Sequence, residues 1–134
     1  MKSTARSLQY LKATGWTPAL VERRLPRVFV TVDAWGFADI IALRLGSPIT
    51  AIQSCQSDLQ IHLRSIEANE AAKLWLVSGG GIEVQSWRKL KVKRGGVAIK
   101  WQVKRMRAYL QHPDGPFDDD KLMGKFTRVA WVEQ

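Results

Sequence analysis

Ala5, Leu8 and Leu11 recur at helical spacing, in a segment that Ser3 can open and Gly15 can close. A second helix is predicted over 17–25, with Thr17 as its cap, Pro18 in its first turn, Glu22 along it and Pro26 as its stop. From Arg27 the period falls to two. Val28, Val30 and Val32 face one way, with Phe29 and Thr31 opposite, which predicts a strand ending near Asp33. Trp35-Gly36 then forms a turn. Residues 37–45 (FADIIALRL) predict a second strand, apolar on both faces apart from Asp39. A tight turn at Gly46-Ser47-Pro48 leads to a third strand over 49–55 (ITAIQSC).

Asp58 can cap a helix whose Leu59, Leu63 and Ile66 share a face, and 69–78 continues helical until the glycines at 79–81 stop it. Residues 82–87 (IEVQSW) alternate. Their arrival after a helical crossover predicts a fourth strand parallel to the third. Residues 88–107 predict a hairpin about Arg94-Gly95-Gly96, and 127–132 a last short strand. The acidic stretch 113–120 reads as a mobile loop. The expected fold class is α/β: a mixed central sheet flanked by helices in one domain over 1–134, with the basic hairpin and acidic loop as appendages. Trp16, Trp75 and Trp131 are expected in the core.

Composition narrows the function classes. The 134 residues are 46% hydrophobic, enough for a core and too many for a disordered chain. The longest apolar stretch, 28–45, is broken by Asp33 and Asp39, and the first residues lack the pattern of a secretory signal. A cytoplasmic protein without membrane contact is expected. The single cysteine, Cys55, excludes an internal disulfide and a cysteine-rich zinc site. His62 and His112 read as isolated, so no zinc site is expected, and nothing places a histidine beside Cys55.

The formal charge is +9, and residues 88–107 hold nine cations and no acid. Such a run repels itself unless a polyanion compensates it. Apolar and aromatic residues interleave the charges, which favours nucleic acid over a merely solvated hairpin. The expected contacts are Arg88, Lys89, Lys91, Lys93, Arg94, Lys100, Lys104, Arg105 and Arg107, with Trp87 and Trp101 stacking on bases or ribose and Lys2, Arg6 and Arg27 adding phosphate grip.

The chemistry concentrates in VDAWGFADIIALRLGSPITAIQSC. Burying Asp39 in an apolar strand costs several kcal/mol unless a partner or a metal compensates it. The alternatives are an ion pair with an arginine such as Arg23 or a metal. Gln53 and Cys55, two apart on the next strand and so on one face, favour the metal. Asp33 reads as a turn former rather than a ligand, and Cys55 as a small buried residue rather than a nucleophile.

This segment resembles the core of the PD-(D/E)XK (restriction-endonuclease-like) nuclease superfamily, including Holliday-junction-resolvase-like and VRR-NUC nucleases of phages and bacteria. Asp39 matches the family's aspartate, Gln53 its glutamate-or-glutamine position, and Cys55 stands where a lysine is usual. Glu22 matches an acidic residue that some branches use as a further ligand. The resemblance implies magnesium or manganese held by Asp39, Gln53, the Ser54 carbonyl and Glu22, with Arg64 or Lys73 supplying the missing basic group. It further implies phosphodiester hydrolysis in DNA, branched forms included, by a homodimer in a bacterial or phage-infected cytoplasm. The alternatives are an inactive nucleic-acid-binding module that keeps the fold, and a basic structural or assembly protein.

Overall fold

The computed structural model of the chain describes residues 2–27, 30–111 and 127–134, and these form three helices and eight strands. Helix α1 (Ser3–Ala13) forms as its pattern predicts and buries Ser7 and Leu11. The stretch expected to be a second helix is instead strand β1 (Thr17–Leu20), followed by a small ribbon of β2 (Arg23–Arg24) with β3 (Thr31–Val32). A helix of about nine residues is marginal on its own, whereas β1 gains a ladder against β4 (Ile40–Leu43) in the register Thr17↔Leu43 to Leu20↔Ile40. Pro18 is tolerated because β1 is an edge strand, with β4 as its one neighbour among the described residues. Of the strand expected before Asp33, Val28 and Phe29 lie outside the described residues, as do His112 and the acidic stretch 113–120.

Strand β5 (Thr50–Cys55) lies antiparallel to β4. Helices α2 (Leu59–Glu67) and α3 (Glu70–Val77) then carry the chain to β6 (Gly81–Lys91), which pairs parallel to β5 as the crossover predicted. Asn69 separates the two helices, its side chain accepting from the N–H groups of Ala71 and Ala72. β6 turns back into β7 (Ile99–Gln111), and β8 (Arg128–Glu133) completes a mixed six-stranded sheet in the order β1-β4-β5-β6-β7-β8. The fold is therefore α/β.

Alternation along the strands sends residues to two cores. Ala51 and Cys55 of β5, with Ile82 and Val84 of β6, pack with Leu63, Ile66 and Ala72 of α2 and α3. On the other face Ile40, Ala42 and Ile52 pack with Leu11 of α1. Each large aliphatic side chain buried this way contributes roughly 1.5–3 kcal/mol. Trp75 and Trp131 border the first core and Trp16 the second, each half-buried rather than enclosed. The parallel pairing of β5 with β6 needs a crossover of a dozen residues or more, and α2 with α3 provides both the span and the cover for one face.

Two glycines separate the steric demands of this chain. Gly46 has a φ of +80° in open surroundings, while a Cβ on Gly80 would overlap the Trp75 indole, whose Nε1 donates to the Gly81 carbonyl at 2.7 Å. Gly80→Ala is expected to cost about 2–3 kcal/mol by overpacking, and Gly46→Ala only ~1 kcal/mol through its left-handed backbone. Urea midpoints of the two variants check the order; equal losses would mean the Trp75 contact constrains nothing.

Candidate metal and nucleic-acid site

A hairpin of short range brings the acids together. Ala34 and Ala38 bridge across a turn in which Trp35 (φ 55°) and Gly36 (φ 79°) both take the left-handed conformation. A non-glycine residue rarely adopts it, and here Trp35 is held by stacking on Phe37 and Trp75 and by Asn69 Nδ2 donating to its carbonyl at 2.9 Å. The turn sets Asp33 opposite Asp39. Glu22 arrives from the end of β1, because the N–H groups of Val21 and Glu22 both donate to the Asp39 carbonyl, at 2.9 and 3.1 Å. The carboxylate oxygens of Glu22, Asp33 and Asp39 lie within 4.8 Å of one another.

Asp39 is 3% exposed, and its Oδ2 accepts from Gln53 Nε2 at 3.1 Å and from the Ser54 N–H at 2.8 Å. Burial first, then a hydrogen bond shared with Asp33 and the charges of Asp33 and Glu22, push its carboxyl up to about 8; the Ser54 N–H opposes them. Glu22 is raised too, by burial and by Asp33, against the charge of Lys2 and a hydrogen bond from Asp39. Burial beside two other acids thus favours a proton on Asp39 in the absence of a cation.

The structure joins some of the predicted site residues and separates others. Asp39, Gln53, Ser54 and Glu22 meet, although Glu22 lies beyond a strand rather than on a helix. Gln53 and Ser54 meet Asp39 as donors, through the amide nitrogen and the main-chain N–H, and not as the oxygen ligands expected. The charges acting on Asp39 are Asp33 and Glu22, with neither Arg64 nor Lys73 among them. Arg64 is exposed on α2, and Lys73 is buried on α3 with its Nζ 3.9 Å from Glu70. Asp33 and Lys2 are the members that sequence reasoning assigned elsewhere. The signal for Asp33 was available, since a tight Trp35-Gly36 turn sets 33 and 39 face to face.

His62 corrects a second expectation. It is not isolated: with Asp58 it stands beside Cys55, ligand-type atoms of all three lying within 4.8 Å of one another. The helix start brings this about, since α2 opens just past the end of β5 and turns His62 back over Asp58. Burial pushes the Cys55 thiol up to about 11, against a hydrogen bond with Ser86.

Between α1 and the β6–β7 ribbon lies an open groove of about 470 Å³, lined by Arg6, Gln9, Tyr10, Ala13, Trp87 and Trp101. The Arg6 guanidinium lies 3.4 Å from the centroid of the Trp101 ring, and Lys89 Nζ lies 5.3 Å from it. Trp101 is half-buried. Trp87 is only 7% exposed, and its Nε1 donates to Ser7 Oγ at 2.9 Å, so it is a wall of the groove and not the stacking platform expected. Ser7 Oγ lies 2.9 Å from Ser54 Oγ, whose main-chain N–H holds Asp39. A line of hydrogen bonds thus runs from the groove wall to the acids.

The basic ribbon of β6 and β7 keeps most of its cations exposed. Arg88, Lys89, Lys91, Lys93, Arg94, Lys100 and Arg107 face solvent, and Lys104 is half-buried. Arg105 departs from expectation: its Nη2 and Nε reach Glu83 at 2.7 and 3.1 Å, a two-point pair that already satisfies the cation. That bonding also raises its pKa further.

The raised Asp39 carboxyl makes stability depend on pH. Unfolded aspartate titrates near ~3.9, so between about pH 4 and pH 8 the folded chain binds more protons than the unfolded one. Stability is then fully present below that window and is lost as pH rises through it. In chelator, the urea midpoint is expected to fall from pH 5 to pH 8, and Asp39→Asn, which keeps both accepted hydrogen bonds, is expected to flatten the fall. A wild-type midpoint that holds level or rises would show that the acids carry no buried proton.

No family model, no curated protein and no solved structure matches the chain.

Proposed function

We propose that the chain is a divalent-metal-dependent nuclease acting on DNA, with Glu22, Asp33 and Asp39 as its metal ligands. The observation that carries this reading is the convergence of three carboxylates on one point, with Asp39 buried and aimed by two N–H donors. Protein folding alone gives no reason to gather them, because each raises the cost of ionising the others. The donor set is hard oxygen throughout, which suits magnesium or manganese and leaves room for coordinated water. A bound ion of this kind supplies Lewis-acid stabilisation of a phosphodiester and a more acidic water.

The chain's own residues prepare the rest. Gln53 and Ser54 both hold Asp39 Oδ2, and its Oδ1 takes part in neither of those bonds. The charge of Lys2 acts on Glu22, opposing the rise of its carboxyl, and we assign Lys2 the part that the resembled nucleases give to a lysine. Arg6 and Lys89 around Trp101, with the exposed cations of β6 and β7, give the backbone contacts of a sequence-tolerant substrate. A branched DNA bound by a homodimer is the form the resemblance adds to this reading.

An inactive binding module is the second reading, favoured by one observation: Cys55 stands where the resembled nucleases carry a lysine, and it is buried. Cleavage of labelled four-way-junction, flap, duplex and single-stranded DNA with magnesium or manganese distinguishes the two. Asp39→Asn and Asp33→Asn are each expected to slow cleavage at least about 100-fold, equivalent to roughly 3 kcal/mol. Lys89→Ala should weaken binding and flatten its salt dependence by about one phosphate contact. Salt-sensitive binding with no cleavage in either metal would select the inactive module.

A further inference from the structure

We propose that Cys55, Asp58 and His62 form a second metal site, separate from the three carboxylates and suited to a zinc-type ion. The Cys55 Sγ, an Asp58 carboxylate oxygen and a His62 ring nitrogen lie within 4.8 Å of one another. Ligands of a tetrahedral zinc, at ~2.0–2.3 Å from the ion, sit roughly 3.3–3.8 Å apart, so the three need only a small closure. Thiolate, carboxylate and neutral imidazole together carry two negative charges, matching a divalent cation. Three protein ligands also leave the fourth position to water.

Local structure supports this assignment. Asp58 is the residue that opens α2, yet its side chain makes no capping hydrogen bond to the helix. Its Oδ2 instead hydrogen-bonds with His62 Nε2 at 3.0 Å, one turn along, and a bound ion would replace that bond, parting the two atoms by a few tenths of an ångström. The site has a closed floor and an open rim. Cys55 is 5% exposed, whereas the side chains of His62 and Asp58 are 29% and 48% exposed. The order C-x2-D-x3-H falls within the short ligand spacings that such sites use. Soft sulfur and imidazole select zinc or cobalt, while the all-oxygen acids select magnesium or manganese, so the two sites differ in the ion they take.

The test uses the full chain, stripped with chelator and titrated with cobalt ion alone. One equivalent should bind with a thiolate-to-cobalt charge-transfer band, which zinc then displaces. Cys55 is the single cysteine of the chain, so that band reports this site alone. Cys55→Ser should abolish it. His62→Ala, a change at a partly exposed position, should weaken cobalt binding by at least about 10-fold even if the buried Cys55 variant fails to fold. Asp39→Asn should leave the band intact. No charge-transfer band in the wild type, unchanged affinity in His62→Ala, or loss of the band in Asp39→Asn would each overturn the proposal. None of these outcomes depends on whether the protein cleaves DNA.

Discussion

Asp39 is the joint on which this structure turns. Its N–H donates to the Ile52 carbonyl, its carbonyl accepts from Val21 and Glu22, and its side chain accepts from Gln53 and Ser54. One residue therefore ties the end of β1 to β5 and fixes where Glu22 must lie. The same bonds hold a carboxylate where water cannot solvate it. Two N–H donors offset part of that cost, and the neighbouring acids add to it. A chain selected for stability alone would place Asn at such a joint, because an amide keeps the acceptor without the charge. An acid at this joint is what the proposed metal site would use.

The groove extends the same logic. Ser7 of α1 is fully buried, and its hydroxyl meets both the Trp87 indole and the Ser54 hydroxyl. α1 therefore packs on the sheet through polar contacts as well as through Leu11. Its first residues lie toward the acids, where the charge of Lys2 acts on Glu22, and Arg6, one turn on, covers Trp101. The helix thereby brings the charge of Lys2 to Glu22 and Arg6 to Trp101 of β7. In the proposed reading a polyanion would contact both ends of this helix face.

Much of this was legible in the sequence where a segment's own pattern decided its state. The alternation at 82–87 in β6, the crossover that brings it beside β5 and the turn at Arg94-Gly95-Gly96 could be read from nearby residues, and the structure follows them. Residues 17–25 show where such reading ends: Thr17-Pro18 is a sound helix start, but pairing with β4, a partner some twenty residues away, decides the outcome. The strand expected over 37–45 shortened for a related reason, since Phe37 and Ala38 belong to the turn that places Asp33. Trp87 and Arg105 look like their exposed neighbours in sequence. Only the fold shows that α1 covers the one and that Glu83, on the adjacent strand, takes the other. The convergence of Cys55, Asp58 and His62 was missed differently. Each residue has an ordinary local reading, and the ligand set emerges only when the strand end and the first helical turn are considered together.

The position of Cys55 bears on both proposed metal sites. Gln53 and Cys55 lie two apart on β5 and share a face, yet they meet different neighbours. Gln53 reaches back to Asp39, and Cys55 reaches forward to the loop that opens α2. In the proposed reading the basic role would fall to the N-terminal side, where the charge of Lys2 acts on Glu22, and the end of β5 would hold sulfur beside imidazole and carboxylate. On those two proposals the departure from the resembled pattern would divide two metal sites along one strand of six residues.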